Sequence, residues 1–314
     1  MRALVTGGAG FIGSHVVDAL LARGDEVAVI DNLSTGREEN LRGAIAKGAV
    51  LHRADIREAD QVQAVFDAFR PEVVFHLAAQ IDVRHSVADP AYDARINVEG
   101  TINVLEAARR AGVARVVNTS TGGAIYGETD QLPTPETAEP KPLAAYGQSK
   151  FCAERYCGWF DRLHGLSTVT VRYGNVFGPR QDPLGEAGVI AIFCGKLLAG
   201  ETAVIFGDGT QTRDYVYVGD VVTANLVAAE HTDARGEFNI GTGRETSVNE
   251  IVEALRTAGD DPSFKPAHDP PRLGEVQRSA LDVSKARAEL GWEATMDLAE
   301  GLRITLDSTR AAAA

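Results

Sequence analysis

The first half of the chain alternates short β-branched runs with longer stretches whose apolar residues recur near helical spacing, the pattern of a parallel sheet wound by crossover helices. The runs predict strands at Ala3–Thr6, Glu26–Asp31, Val50–Arg53, Val73–Leu77 and Arg115–Ser120. Helices are expected between them at Phe11–Arg23, Glu58–Phe69 and Ala91–Ala111, then a helix at Tyr146–His164 and a sixth strand at Ser167–Tyr173. The expected fold class is therefore α/β with a doubly wound parallel sheet. Beyond Gly178-Pro179-Arg180 the texture changes to glycine-rich loops, a helix at Val189–Ala199 and a proline-rich stretch around 261–271, which reads as a smaller mixed α/β lobe. The expected division is 1–178 and 179–314. Residues 214–240 are read as returning to the first unit, because a strand-like start runs into an apolar helical pattern.

Composition narrows the partners. A chain of 314 residues with 44% apolar side chains can fill one large core and a satellite. Its net charge of −13, from 44 acidic against 31 basic residues, opposes polyanionic partners, so neither nucleic acid nor an anionic membrane face is expected. No apolar run approaches the roughly 18 residues of a membrane span. Met1 leads into an apolar strand rather than a signal segment, and a cytoplasmic, unprocessed protein is expected. Cys152, Cys157 and Cys194 make no CxxC pair and no histidine stands at zinc-like spacing, so reduced thiols and no metal are expected.

Candidate chemistry starts at Gly7, Gly10 and Gly13, which follow a strand and open a helix. There, backbone N–H groups and the positive helix end cradle a pyrophosphate. The spacing GxxGxxG is one residue longer at its first gap than the usual Rossmann fingerprint. Alone it also describes a tight strand-to-helix turn; Asp31, ending the second strand, shifts the reading to a dinucleotide. Its carboxylate would accept the adenosine ribose hydroxyls and repel the extra phosphate of NADP, so NAD is preferred, although Arg37 nearby blurs that choice. Phe11, Ile12 and Asn32 belong to the same cofactor set. Asp55-Ile56 ends the third strand and either faces the adenine or, through Asp55, caps the next helix. Further on, Tyr146 and Lys150 stand four apart, on one face if that segment is helical. A free phenol, with a pKa of about 10, is a poor base. One lowered by a lysine and an oxidised nicotinamide can take a proton from a sugar hydroxyl while hydride leaves the same carbon.

With the glycine loop, Asp31, His76-Leu77-Ala78-Ala79, Asn97-Val98-Glu99-Gly100-Thr101 and Tyr146-x3-Lys150 in order, the chain resembles the extended short-chain dehydrogenase/reductase family. Arg172-Tyr173-Gly174-Asn175-Val176-Phe177-Gly178-Pro179-Arg180 and Arg213-Asp214-Tyr215-Val216 are similar to strings in its nucleotide-sugar epimerases and dehydratases. The resemblance implies a homodimer joined by a four-helix bundle, for which 91–111 and 146–164 are the candidate helices. It implies that Leu77, Ala78, Ala79, Asn97 and Tyr173 line the cofactor. It further implies that Asn175, Arg213 and Arg272 grip the sugar diphosphate, that Glu275 meets the ribose, and that Val204, Ile205 and Phe206 pack on uracil, with Val189 beside them. For Leu77–Ala79 a buried strand end, for Asn97 a loop-binding helix residue and for each arginine a surface ion pair compete with these roles.

The family's reactions open with oxidation at carbon 4 of a UDP-sugar and diverge by the groups just before Tyr126. Dehydratases carry an Asp-Glu pair there; here the positions read Gly123-Ala124, leaving elimination without a proton carrier. Inversion of the 4-hydroxyl of a UDP-hexose is the expected activity. The serine that such epimerases carry four residues before this tyrosine is Gly122 here, so Thr121 or Ser120, with Thr121 favoured, is expected to reach the reacting oxygen if Gly122-Gly123 bends the strand. Alternatively that pair is a bulge making room for substrate. Ser279, where a bulky tyrosine would exclude N-acetyl groups, leaves UDP-N-acetylglucosamine open as a substrate, and UDP-glucuronate stays open because a single polar contact could accept its carboxylate. A non-catalytic NAD-binding sensor is the reading from another class.

Overall fold

The computed structural model describes residues 1–183, 188–271 and 276–313. The six expected strands form as β1 (Arg2–Thr6), β2 (Glu26–Asp31), β3 (Val50–Arg53), β4 (Val73–His76), β5 (Arg115–Thr121) and β6 (Thr168–Tyr173). Short strands β7 (Asn175–Phe177), β8 (Val204–Phe206), β9 (Thr212–Arg213) and β10 (Tyr215–Tyr217) then precede β11 (Gly236–Ile240). The sheet runs β11-β6-β5-β4-β1-β2-β3, parallel at every pairing. This is the Rossmann-type doubly wound architecture. Its central strands are covered on both faces and therefore read as unbroken apolar runs: Ala3–Val5 and Val27–Ile30 are at most 2% exposed.

Helices Phe11–Ala22 and Val218–Glu230 pack on one face of the sheet. Ala59–Phe69, Gly100–Ala111 and Ala145–His164 pack on the other. The helix expected at 91–111 forms with a fault in it: Pro90–Ala94 passes through a π-helical turn, Arg95–Glu99, before Gly100–Ala111. Such turns recur at functional sites, and this one carries buried Asn97. The returning segment is tied down by Arg115, whose buried guanidinium donates to the carbonyls of Ala228, His231, Thr232 and Ala234. A cation suits that place, the carboxyl end of a helix.

A separate apolar cluster around Phe177, Phe193, Ile251, Leu255, Leu302 and Leu306 joins helices Val189–Ala199, Val248–Gly259 and Leu298–Ala313. There β12 (Thr246–Ser247) pairs antiparallel with β9, and β13 (Ala267–Asp269) parallel with β8. Among the described residues no helix is long and apolar enough to cross a membrane.

In the main sheet the winding reverses between β1 and β4, whose ends Thr6 and His76 lie side by side. A parallel α/β sheet opens its ligand crevice at the carboxyl ends beside such a reversal.

Candidate active site

The glycine loop sits at that reversal. Gly7 has φ +71°, and a Cβ on it would stand 2.6 Å from Ala78 N, so the β1 loop can touch the β4 loop only through a bare backbone. A Cβ on Gly13 would stand 2.2 Å from Gly7 O. The first helical bond runs from Ser14 N–H to Gly10 C=O, which leaves the amides of Phe11, Ile12 and Gly13 at the positive end of the helix for an anion. Asp31 shapes this loop as well as facing it: its carboxylate accepts Ala9 N–H at 2.9 Å and Leu33 N–H at 2.8 Å. Burial raises its pKa against those two bonds. Asp55 is no helix cap. It binds Arg57 through a guanidinium contact at 2.7 Å and its backbone N–H at 2.9 Å, which holds the carboxyl down to about 2, and it accepts Asn32 Nδ2 at 2.9 Å. Beside it Ile56 is buried under Gly100.

His76 orders the neighbouring loop. Thr101 donates its hydroxyl to Asn97 C=O at 2.7 Å, so its oxygen accepts His76 Nε2–H at 3.0 Å. His76 Nδ1 then accepts the Thr6 hydroxyl at 2.7 Å, and the Thr6 oxygen accepts Ala78 N–H at 3.2 Å. The assignment needs a neutral imidazole, and burial pushes its pKa down to about 3. Leu77 and Ala79 flank that anchored amide, half-buried. Asn97 Oδ1 accepts Gln80 N–H at 2.8 Å, while its Nδ2 reaches Gln80 C=O at 3.0 Å, Asp93 Oδ1 at 3.1 Å and Ser149 Oγ at 3.1 Å.

Tyr146 and Lys150 fall on the first turns of Ala145–His164. A Cβ on Gly147 would lie 2.6 Å from Ala124 O, so this glycine lets the helix start seat directly on the turn Gly122–Ile125 that follows β5. Tyr146 N–H donates to Ser86 Oγ at 3.0 Å. Strand alternation then separates the two candidate hydroxyls. Thr121 meets the Tyr146 phenol, whereas Ser120 is buried on the opposite face toward Glu154, which separates the two candidates. The bulge held open as the alternative at Gly122-Gly123 is a helical turn instead, and β5 stays in register with β6 up to Thr121 opposite Tyr173. A Cβ on Gly122 would lie 2.6 Å from Leu281 Cδ1, so the position of the family serine is filled from across the molecule.

Burial pushes the Tyr146 phenol up to about 12; the Thr121 hydroxyl pulls it down and the Asp93 carboxylate raises it further. In the chain by itself burial is the largest influence on this phenol. Lys150 is lowered to about 8 by its own burial.

Toward the second lobe, Asn175 places its side chain against Gly123, where a Cβ would lie 3.3 Å from Asn175 Oδ1. Its N–H donates to Asp214 C=O at 2.6 Å. The buried Asp214 carboxylate accepts Thr242 N–H at 2.7 Å, Gly243 N–H at 3.0 Å and Leu281 N–H at 3.1 Å, so it braces this wall. Arg213 is half-buried and donates to Thr212 C=O at 2.8 Å. Beyond it a cleft of about 770 Å³ is lined by Phe206, Gln211, His268, Asp269, Pro271 and Gln277. Val204 is 38% exposed on β8 and Ile205 faces the lobe core. Val189 and Ser279 are half-buried. Arg272 and Glu275 lie outside the described residues.

Against this geometry the comparisons are decisive. The model for the NAD dependent epimerase/dehydratase family matches residues 3–241. The chain belongs to that family. It is 48% identical to UDP-glucose 4-epimerase of Mycolicibacterium smegmatis over 311 residues, 99% of each chain. A crystal structure of UDP-glucose 4-epimerase with UDP-glucose from Thermotoga maritima superposes with a TM-score of 0.95 at 48% identity, covering 100% of both chains. The Thermus thermophilus UDP-glucose 4-epimerase complex with NAD gives a TM-score of 0.92 at 44% identity, covering 99% of this chain and 100% of that one.

Within this epimerase/dehydratase fold the structure gathers residues that sequence reasoning passed over. Gln80, Asp93, Ser86 and Asn225 carry no motif, yet each bonds a candidate residue. Asn225 Nδ2 meets the Tyr173 hydroxyl at 2.7 Å, which also contacts Thr119 at 3.1 Å. Ser149 stood in plain view inside Tyr146-x3-Lys150.

Proposed function

We infer that this chain is an NAD-dependent isomerase that inverts carbon 4 of a UDP-hexose, interconverting UDP-glucose and UDP-galactose. The observation that carries the reading is Thr121 against the Tyr146 phenol, with Lys150 one turn on, at the carboxyl ends of β1, β4, β5 and β6 beside the bare glycine loop. NAD fits the residues present: side chains at Gly7 or Gly13 would fill the cradle, and the amides of Phe11, Ile12 and Gly13 suit its pyrophosphate. Asp31 and Asn32 would take the adenosine ribose, Asp55 and Ile56 the adenine edge, Leu77, Ala78, Ala79 and Asn97 the middle of the cofactor, and Lys150 and Tyr173 the nicotinamide end. Bound NAD supplies the hydride acceptor and, on return, the donor.

The protein's part is proton transfer and orientation. Tyr146 takes the proton of the 4-hydroxyl and later gives it back, Thr121 holds that oxygen, and the Lys150 ammonium stabilises the phenolate. Asn175, Arg213, Arg272 and Glu275 would grip the diphosphate end, and Val189, Val204 and Phe206 the base. With Gly123-Ala124 offering no acid, the 4-keto sugar has no route to elimination, and turning over before reduction inverts the centre. Ser279 supports acceptance of an N-acetylated sugar as well. A coupled assay of UDP-glucose, UDP-N-acetylglucosamine and UDP-glucuronate, with NAD content of the purified protein, tests the reading. Inversion of the first with NAD retained is expected; no inversion of any leaves only an NAD-binding sensor. A cytoplasmic homodimer accords with free cysteines and with Trp159 and Leu163, 41% and 60% exposed on Ala145–His164.

A further inference from the structure

We propose that Asp93 is the buried counter-charge of Lys150, a positioning residue that keeps the ammonium charged beside Tyr146. The inference rests on the functional reading above. Asp93 is fully buried in the helix Pro90–Ala94, which packs against Ala145–His164. Its Oδ1 is saturated by Gln80 Nε2 at 2.9 Å and Asn97 Nδ2 at 3.1 Å. Asn97 Nδ2 also reaches Ser149, the residue before Lys150, at 3.1 Å. Asp93 Oδ2 is buried and makes no close hydrogen bond, although the Ser149 hydroxyl acts on the carboxyl from nearby. An orphaned carboxylate oxygen in a dry interior is costly unless a charge lies within reach.

Elimination identifies that charge. The groups facing Lys150 are His76 from β4, Glu154 and Cys157 from its own helix, and Asp93. His76 is neutral in its hydroxyl network, and burial pushes the Cys157 thiol up to about 12. Glu154 is bound twice by Arg172, at 2.9 and 2.6 Å. Asp93 is the one carboxylate among them not already paired with a cation. Facing Tyr146 are Thr121 and, again, Asp93. Burial raises the Asp93 carboxyl against the Ser149 and Gln80 hydrogen bonds and the positive charge of Lys150, and His85 is the other titratable group within its reach. Asp93 therefore acts on both members of the pair, and its negative charge favours the protonated form of each.

The working form needs a phenolate and an ammonium together. Removing the Asp93 charge eases loss of the proton from both groups, so both limbs of the pH profile should move toward acid. In Asp93→Asn, kcat measured against pH should shift both limbs down by on the order of one pH unit. The phenolate absorbance of Tyr146, read as the difference from the same protein carrying Tyr146→Phe, should shift likewise. Ser149→Ala, which keeps the charge and loosens the network, should lower kcat with the limbs unmoved. Unfolding of Asp93→Asn in wild-type and Lys150→Met backgrounds adds an arm independent of turnover: the change should cost less where the lysine is gone. Unmoved limbs, or equal cost or failure to fold in both backgrounds, would make Asp93 merely structural. A wild-type protein that inverts no sugar would instead overturn the functional reading, while the absorbance and unfolding arms still report on Asp93.

Discussion

Two buried cations meet the helix Ala145–His164 and are handled in opposite ways. Arg172, at the end of β6, donates Nε and Nη2 to Glu154 at 2.9 and 2.6 Å and Nη1 to the Tyr126 hydroxyl at 2.8 Å, and that hydroxyl donates to Asn239 Oδ1 on β11 at 2.9 Å. Every direction of that charge is answered. Lys150, one turn before Glu154, is 2% exposed, yet the negative charges acting on it, the Glu154 and Asp93 carboxylates, do so with no hydrogen bond to the ammonium among the described residues. A saturated charge fixes structure; an unsaturated one remains free to do chemistry. The contrast explains why the pair with the better geometry is the scaffold and the pair with the poorer geometry is the candidate machinery.

The largest expected effect strikes the saturated pair. Arg172→Met strands Glu154 in the interior, and denaturant unfolding should show a loss of about 3–5 kcal/mol, mostly recovered by adding Glu154→Gln. Tyr146→Phe should leave stability near wild type and cut turnover by a factor on the order of a hundred or more with NAD still bound. Near-normal turnover would remove Tyr146 from the mechanism. One hydrogen bond to the reacting oxygen is a smaller matter: Thr121→Val should cost about tenfold in kcat, and Ser120→Ala far less, since Ser120 faces away. Equal losses in the two would erase the distinction drawn from strand alternation. The smallest effect at neutral pH concerns His76, whose pKa falls from 6.5 to about 3 on folding. Its contribution is complete above 6.5 and is lost as pH drops toward 3, because only the unfolded chain takes up the proton in that window. Melting temperature against pH should therefore be flatter in His76→Gln than in wild type.

Most of the sheet could be read in advance because strands covered on both faces are apolar throughout. Strand β11 escaped notice: Glu237 and Asn239 interrupt it, and Asn239 is a buried polar residue whose partner Tyr126 lies 113 positions away. The Tyr146 and Lys150 spacing needed only helical periodicity. Which hydroxyl of β5 faces Tyr146 depended on the orientation of the strand in its sheet, and the filling of Gly122 by Leu281 on a contact between distant segments. Asp93 gave no signal because an aspartate in a helix ordinarily faces water; only its burial reveals it.

The most direct measurement follows a hydrogen isotope. UDP-glucose carrying deuterium at carbon 4, incubated with the purified protein and no added nucleotide, should give UDP-galactose with deuterium still at carbon 4, because hydride leaves and returns within one closed site. Solvent hydrogen at that carbon, or recovery of the sugar with its configuration unchanged, would contradict the account.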